Sequence, residues 1–401
     1  MKESNKKVCV FHSQPCSIVN KRLLTDSSWF KFIAHFGSRG DAINIISPEL
    51  KENEATFSID LVADVKFNKT KHFYFDSFKE YYVQVLFNPF QTVKKYYSVI
   101  KRSNIVVFRI PTPGFCLVSV IAFICKKPIF VFVSGNIIEQ SDTYANSSSL
   151  MRLFFWFFLK IRIKFHAFFL TKSRRVFCVS KEVQELYGLA QNEFVEIYRT
   201  PVISINDIID DNYKQVITDS EVSLKIIRVC WLQKSKGLEN LIFAVHKLNS
   251  KIKVTLDIYG VDKDKKYGEK ILTLINKLEL DHIVHMKGWV SHQKIIDKYS
   301  HYDLHVISSL SEGMPRACIE ASSKGVPQVV TPVGGIPDFF THLHDAFIVK
   351  DCTSESLVEG IDWIYKNRTL AHGLGFNAMI GSRKNSIEIA AQRFNQLLDE
   401  A

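Results

Sequence analysis

The sequence predicts an α/β protein in which two domains, each with a parallel sheet, follow one another along the chain. In both halves, short apolar runs alternate with longer segments of helical length, which is the pattern of parallel βαβ units. A polar, acidic stretch at 204–222 separates the halves and is typical of an interdomain connector. With 401 residues, the chain is long enough for two domains that each bury a core.

The individual elements follow this alternation in order. In the first half, apolar runs predict strands at 8–11, 44–47, 105–108, 129–133 and 176–179, with a helix at 114–125. After the connector, strands are predicted at 224–230, 253–259, 283–286, 303–308 and 328–331. Helices are predicted between them at 238–248, 267–278, 292–299 and 315–323, and an amphipathic helix at 386–398 ends the chain.

Positive charge is concentrated in the first half of the chain. Residues 1–200 contain 28 Lys and Arg against 16 Asp and Glu, whereas the remaining residues contain 24 against 25. The first half is therefore expected to meet a membrane surface, nucleic acid or a phosphorylated substrate, unless the charge serves solubility alone. With 46% apolar and 23% charged residues, the composition excludes a disordered, collagenous or coiled-coil protein.

The segment 147–175 carries seven Lys and Arg, no acidic residue and many Phe. Lys160, Arg162 and Lys164 near its centre argue against a membrane-spanning helix, and no uninterrupted apolar run of about 20 residues occurs elsewhere. One interpretation is a helix lying in the interface of an anionic bilayer, although the alternating basic residues do not share one helical face. The other is an internal helix whose basic side chains extend around a Phe-rich core.

Several familiar site patterns do not occur. The eight cysteines include no C-x-x-C pair, which argues against a zinc or thioredoxin-like site, and most lie in apolar runs, as reduced thiols of the cytosol do. No signal-peptide apolar region follows the basic N-terminus. The first strand is not followed by G-x-G-x-x-G, so the dinucleotide fingerprint is missing.

The stretch 303–340 carries the most chemical information. A strand is followed by a loop with Glu312, then by a helix that begins near Pro315 and includes Glu320. Loops at the carboxyl ends of parallel strands are where open α/β sheets bind ligands, and the free N–H groups of a helix N-terminus accept phosphate. Two carboxylates flanking such an anion site suit hydroxyl groups on either side of a diphosphate. A nucleotide sugar has this arrangement.

The segment E-G-M-P-R-A-C-I-E-A at 312–321, followed by G-V-P and V-G-G-I-P-D, resembles the E-x7-E motif of retaining GT-B glycosyltransferases. It is most similar to glycosyltransferase family 4, the glycosyl transferases group 1. The resemblance implies a GT-B architecture of two Rossmann-like domains facing each other across a cleft, an acceptor-side domain at 1–205 and a nucleotide-sugar domain at 206–385. It also implies that the helix within 386–401 packs back on the first domain.

The resemblance assigns roles to residues by position. Glu312 matches the Glu that contacts the donor sugar and Glu320 the Glu that bonds the ribose, whereas Lys236 matches the Lys that neutralises the diphosphate. Glu312 and Lys236 are therefore the expected catalytic residues. The matching donor-binding positions are Lys236, Trp289, Val290, Glu312, Gly313, Met314, Pro315 and Glu320.

The chain departs from the family pattern in two places. Similar proteins have Gly-Arg where this chain has Cys230-Trp231, so one diphosphate cation is missing from its usual place, and Lys234 or an Arg of the first half would have to compensate. Similar enzymes often carry a His after the strand at 129–133, where this chain has Ser134-Gly135-Asn136. The possible cleft residues of the first half are His12, Arg109 and Asn136.

The expected activity is a hexosyl transfer that retains the anomeric configuration. No D-x-D motif ends a strand, because Asp262-Lys263-Asp264 lies in a Lys-rich loop, so no metal and no cofactor are expected. The expected partners are a nucleotide sugar, a lipid-linked saccharide or other oligosaccharide acceptor used in capsule or lipopolysaccharide synthesis, and an anionic membrane surface, but not nucleic acid. The enzyme is expected to be cytoplasmic and peripheral on the inner face of the cell membrane. The alternatives are a nucleotide-sugar epimerase or phosphorylase on the same fold, or a non-catalytic partner subunit.

Overall fold

The computed structural model of the chain contains two compact units. One comprises Met1–Pro201 together with Ile387–Ala401, and the other comprises Val202–Ser386. The structure describes residues 6–12, 14–20, 22–25, 29–37, 41–47, 57–60, 65–70, 87–110, 112, 114–134, 149–198, 202–208, 223–262 and 266–401.

The first unit is built on a parallel sheet of seven strands in the order β10-β9-β8-β7-β1-β4-β6. A small antiparallel sheet in the order β2-β3-β5 accompanies it. The strands are β1 (Lys7–Phe11), β2 (Cys16–Val19), β3 (Arg22–Thr25), β4 (Ala42–Ile46), β5 (Phe57–Asp60), β6 (Lys66–Thr70), β7 (Ile105–Ile110), β8 (Ile129–Val133), β9 (Arg175–Cys178) and β10 (Val195–Ile197).

Helices cover this sheet, so the central strands β1, β7 and β8 are apolar and buried on both faces, as parallel sheets require. The helices within Met1–Pro201 are α1 (Trp29–Ile33), α2 (Pro89–Arg102), α3 (Phe115–Ile124), α4 (Ser149–Leu170) and α5 (Lys181–Leu186). None of the helices in the described ranges is both long enough and apolar enough to cross a membrane.

The core of the first unit accounts for part of its Phe content. Trp29, Phe32 and Phe132 form an aromatic cluster whose ring centroids lie 5.5–6.3 Å apart. The last helix of the chain, Ile387–Asp399, inserts Phe394 into this cluster, 5.3 Å from the Phe132 ring. Burial of large rings contributes most of the hydrophobic stabilisation here, at about 25 cal/mol per Å² removed from water. The C-terminal helix is therefore a structural part of the first unit.

The second unit contains a parallel sheet of six strands in the order β13-β12-β11-β14-β15-β16. Its strands are β11 (Leu224–Val229), β12 (Val254–Tyr259), β13 (Val284–Gly288), β14 (Leu304–Ile307), β15 (Gln328–Val330) and β16 (Phe347–Ile348). The helices of the second unit are α6 (Leu238–Asn249), α7 (Lys266–Lys277), α8 (His292–Tyr299), α9 (Arg316–Ser323), α10 (Ile336–Phe339), α11 (Ser354–Lys366) and α12 (Arg368–Arg383). The last helix of the chain, α13 (Ile387–Asp399), belongs to the first unit.

Apolar layers lie on both faces of the second sheet. Side chains of α6, α7 and α11 form one layer with the strands, and side chains of α8, α9 and α12 contribute to the other. The resulting order of helices, sheet and helices is that of a doubly wound α/β domain. In each of the two units, the strand order reverses beside the first strand, between β1 and β7 and between β11 and β14. These reversals fix where ligands are expected.

Candidate functional site

The strand order of the second sheet places two loops side by side. The chain runs from β11 outward to β12 and β13, then returns to β14 on the other side of β11. Ligands of open α/β sheets bind at the carboxyl ends of the strands at such a reversal. The loop after β11 carries Lys236 in a 3-10 turn, Lys234–Lys236, and the loop after β14 carries Glu312.

Lys236 and Glu312 form an ion pair at the centre of this site. The Lys236 Nζ donates to Oε1 of Glu312 at 2.8 Å, and the two side chains are only 15% and 10% exposed. The Ser309 hydroxyl donates to the same oxygen at 2.7 Å. Among the described residues, no hydrogen bond or ion pair reaches the other oxygen, Oε2. The carboxylate is thus held through one oxygen and can accept a hydrogen bond from a ligand through the other.

Two glycines allow the loops to approach each other this closely. Gly237, at φ +60°, would place a Cβ 2.0 Å from the carbonyl oxygen of Ser308. Gly334, at φ +56°, would place one 1.7 Å from the carbonyl oxygen of Glu312. Only glycine combines the left-handed backbone with such contacts. The Lys-Gly and Gly-Gly pairs of the sequence therefore shape the backbone around the ion pair.

Glu320 lies on α9 and is 4% exposed. His292, the first residue of α8, lies with its Nε2 3.0 Å from Oε1 of Glu320. Burial by itself raises the pKa of Glu320, but the hydrogen bond and charge of His292, together with the charges of Arg316 and His305, outweigh it. The pKa of Glu320 therefore lies below its ordinary value, and an ionised carboxylate is available to accept hydroxyl protons.

The remaining candidates for donor binding in the second unit are Trp289 and Val290, which follow β13, and Gly313, Met314 and Pro315, which lie between the two glutamates in the sequence. Trp289, directly after β13, is 62% exposed, whereas Val290 packs on a core cluster with α8. Gly313 accepts a hydrogen bond from the backbone N–H of Gly335, and Met314 packs against a core cluster. Pro315, at which the sequence predicts the helix to start, is the N-cap of α9, and the helix itself begins one residue later at Arg316.

The structure reveals polar partners that the sequence analysis missed. Ser309 forms a hydrogen bond to Glu312, and His292 forms one to Glu320. Arg228 of β11, which is 1% exposed, donates a hydrogen bond to Ser309. A signal was available for Arg228, because an arginine inside an otherwise apolar strand must find polar partners. Trp231, in the position of the missing cation, is about half exposed, and the side chain of Lys234 is also exposed.

In the first unit, two of the three candidates meet at the reversal between β1 and β7. Nη1 of Arg109 lies 2.9 Å from Nε2 of His12, and its guanidinium lies 5.2 Å from the Trp29 ring centroid. Burial, reinforced by the Arg109 charge, holds the pKa of His12 well below its ordinary value. His12 is therefore neutral at physiological pH. Asn136 lies outside the described residues.

No group of three or more His, Cys, Asp or Glu side chains in the described part of the chain is arranged to hold a metal ion. The polar atoms at the reversal of the second sheet instead suit an organic ligand. Lys236 and the N-terminus of α9 are suited to an anion, and the two carboxylates, each with one oxygen outside these hydrogen bonds, are suited to hydroxyls.

A family model matches the segment of the chain that contains this geometry. The family model "Glycosyl transferases group 1" matches residues 210–379, which contain the whole site of the second unit. An uncharacterized glycosyltransferase of Methanocaldococcus jannaschii is 28% identical over 151 residues, 38% of each chain. TuaC of Bacillus subtilis, a provisionally assigned glycosyltransferase of teichuronic acid biosynthesis, is 32% identical over 130 residues, 32% of this chain and 30% of its own. The chain thus aligns with about a third of the length of these curated relatives.

Solved structures extend the likeness to the whole chain. HepE of Anabaena in complex with UDP superposes with a TM-score of 0.70, at 14% identity over 99% of this chain and 100% of that one. A glycosyltransferase of Rickettsia africae superposes with a TM-score of 0.69, at 16% identity over 99% and 98% of the two chains. The second unit therefore matches the group 1 glycosyltransferases in sequence, and the whole chain has the fold of two Rossmann-like domains that defines GT-B glycosyltransferases.

Proposed function

We propose that this protein is a retaining, metal-independent glycosyltransferase of family 4. It transfers a hexosyl group from a nucleotide sugar to a hydroxyl of a lipid-linked saccharide in surface polysaccharide synthesis. The ion pair between Lys236 and Glu312 carries the proposal, because it places a cation for a diphosphate beside a carboxylate for a sugar. The relatives support the setting, since TuaC is assigned to teichuronic acid biosynthesis and WcaL of Escherichia coli to colanic acid biosynthesis.

The proposed chemistry needs no group beyond the chain and its two substrates. Lys236 and the N-terminus of α9 stabilise the charge that develops on the departing nucleoside diphosphate. Oε2 of Glu312 accepts a hydroxyl of the donor sugar, and Glu320 accepts the ribose hydroxyls. The acceptor hydroxyl attacks from the face that the diphosphate leaves, and a phosphate oxygen takes its proton. The C1–O bond to phosphate breaks as the new C1–O bond forms, so the configuration is retained.

Donor screening tests this proposal. Purified protein is incubated with UDP-, GDP- and ADP-sugars in the presence of EDTA, and both binding and slow donor hydrolysis are measured. One donor is expected to bind selectively and to be hydrolysed. Glu312→Ala is expected to abolish hydrolysis, whereas Glu359→Ala, an exposed glutamate on α11, leaves it unchanged. Absence of nucleotide-sugar binding would refute the proposal, and binding without turnover would favour a non-catalytic subunit.

The same proposal places the first unit against an anionic membrane, where a lipid-linked acceptor resides. On α4, Phe157, Phe165 and Phe168 are each more than half exposed. Lys160 and Lys164 lie between them on the same helical stripe and are also exposed. Arg162 lies off that stripe and is half-buried. Lys160 and Lys164 therefore share one helical face, although the alternation of the three basic residues in the sequence does not indicate it.

Helix α3 extends this surface. Phe115 of α3 packs edge-on against His166 of α4, with ring centroids 5.3 Å apart, so the helices lie side by side. At the end of α3, Phe123 is 71% exposed, and the adjacent Ile124 is also mostly exposed. Lys126, two residues further on, is exposed as well. Aromatic rings interspersed with lysines, without an acidic residue between 149 and 175, complement a bilayer that contains anionic lipids.

Vesicle sedimentation tests the membrane partner. The protein is expected to bind vesicles of phosphatidylcholine with phosphatidylglycerol and to dissociate in high salt. Lys160→Gln with Lys164→Gln is expected to weaken binding about thirtyfold, given ~1 kcal/mol per basic residue. Lys251→Gln with Lys253→Gln, two exposed lysines of the second unit, serves as the control. Equal binding to vesicles without anionic lipid would contradict the proposal. Absence of vesicle binding in a protein that forms a dimer stable in high salt would contradict it as well.

A further inference from the structure

A buried arginine lies beneath the turn that carries Lys236. Arg228 belongs to β11 and is 1% exposed. Its Nη2 donates to Oγ of Ser309 at 2.8 Å and approaches the carbonyl oxygen of Lys236 at 3.4 Å. Both contacts lie at the sheet reversal described above, so Arg228 touches each of the two loops of the site.

Arg228 has an unusual environment for a buried charge. Guanidinium groups in protein interiors normally pair with a carboxylate, because an unpaired buried charge is costly. Among the described residues, however, Arg228 forms no ion pair, and its Nε has no hydrogen-bond partner. Its hydrogen bonds reach a carboxylate only indirectly, through Ser309, whose hydroxyl donates to Glu312.

The charge of Arg228 acts on the loop after β11 and on helix α9. Burial raises the pKa of the Cys230 thiol, which lies in the loop after β11, and the positive charge of Arg228 opposes that rise. Burial likewise raises the pKa of Cys318 on α9, and Arg228 again acts in the opposite direction. The segment between these cysteines contains the proposed diphosphate site, and position 231, directly after Cys230, holds Trp instead of a cation.

We infer that Arg228 is a positioning residue that supplies, from beneath the site, the positive charge that position 231 lacks. It orients Ser309, which holds one oxygen of Glu312, and it fixes the turn that presents Lys236. Because the guanidinium is buried, its charge acts on a diphosphate through low-dielectric protein and not by direct contact. The inference rests on the proposed function and adds to it a residue that no motif assigns.

Nucleotide binding separates this role from a purely structural one. The affinities of the protein for UDP, GDP and ADP and for the matching nucleosides are measured by calorimetry. Arg228→Gln is expected to weaken the preferred diphosphate about tenfold and leave its nucleoside unchanged, since only the diphosphate experiences the lost charge. Adding Trp231→Arg is expected to restore most of the affinity. Lys253→Gln, which removes an exposed charge before β12, is the control.

The outcomes distinguish the inference from the proposed function. If the wild-type protein binds no diphosphate, the proposed function fails. If it does bind, unchanged diphosphate affinity in Arg228→Gln, or an equal loss for diphosphate and nucleoside, overturns the inference. Should Arg228→Gln not fold, Arg228→Lys keeps the charge but loses the planar fork. It is expected to keep diphosphate affinity within about threefold, because the charge remains, and to lower kcat, because Ser309 is no longer held. Diphosphate binding that is lost to the same extent as nucleoside binding would refute the inference.

Discussion

Replacing Lys236 by Met tests the geometry of the site without any ligand. In the free protein, Lys236 is the only cation that forms an ion pair with Glu312 within the described residues. Lys236→Met keeps the length and apolar body of the side chain and removes the ammonium. Glu312 is then left as a largely buried carboxylate whose remaining partner is the hydroxyl of Ser309.

The size of the effect follows from the distance and the burial. At 2.8 Å and an effective dielectric constant of about 20, the attraction amounts to about 6 kcal/mol. Much of this offsets the cost of removing both charges from water, so the pair contributes little net stability relative to an apolar pair. Removing only one partner is different, because the desolvation cost of the other remains. The expected loss is about 3 kcal/mol, the lower end of the range for breaking a buried pair.

Thermal unfolding of the full chain measures this loss. For a domain of this size, ~3 kcal/mol corresponds to a decrease in the Tm of the second unit of about 6–12 °C. The double variant Lys236→Met with Glu312→Gln carries neither charge and is expected to regain most of the difference. Lys270 provides the control, because it pairs with Glu239 at a similar 3.0 Å but is 63% exposed. Lys270→Met is expected to cost under about 1 kcal/mol. A double variant no more stable than Lys236→Met would refute the reasoning.

Three further predictions follow from single contacts. His292→Ala is expected to lower the Tm at pH 7, and the difference should narrow as pH falls below 4.5, because the lowered pKa of Glu320 stabilises the fold fully above the pKa of the unfolded chain and this stabilisation is lost as the carboxylate becomes protonated in the folded state. Burial lowers the pKa of His305 to about 3. As pH falls from 6.5, this histidine therefore becomes protonated in the unfolded chain before it does so in the folded protein, and the free energy of unfolding decreases. His305→Gln should reduce that decrease in unfolding scans between pH 7 and 4. Gly334→Ala is expected to lower the Tm and abolish donor hydrolysis, because its Cβ would overlap a loop carbonyl, whereas Gly373→Ala, with nothing within 4 Å, should be neutral or stabilising.

The elements that the sequence predicts best are those with a strong local pattern. The strand predicted at 303–308 is Leu304–Ile307, and the helix predicted at 315–323 is Arg316–Ser323. The strand is an apolar run between the polar residues Asp303 and Ser308, and the helix lies between Pro315 and Gly325, so local residues define the limits of both. The strands that the sequence does not predict are short, polar like Lys66–Thr70, or paired in the antiparallel sheet. They form because a partner strand satisfies their backbone groups, and the sequence of the strand alone does not contain that partner.

The same contrast applies to the site. The sequence places Glu312 and Glu320 in one motif, since they occur in one loop and one helix of the same short segment. It does not reveal which groups hold those carboxylates. Arg228 and Ser309 are 81 positions apart, and His292 and Glu320 are 28 apart on different helices. Only the parallel order of β11 and β14 brings the first pair together, so the supporting contacts follow from topology and not from the motif.

The arrangement of charges indicates how the site could bind a diphosphate although Lys236 already pairs with Glu312. In the free protein, Lys236 is bound to Glu312, and the same ammonium is the proposed partner of the diphosphate. Binding therefore requires Lys236 to exchange a carboxylate for a phosphate, which would leave Glu312 without its cation. The hydrogen bonds from Arg228 to Ser309 and from Ser309 to Glu312 do not involve the ammonium of Lys236, so the exchange does not by itself break them. A buried cation beneath the site thus stabilises Glu312 when Lys236 turns to the ligand, which is a physical reason for a charge that is buried without a direct counterion.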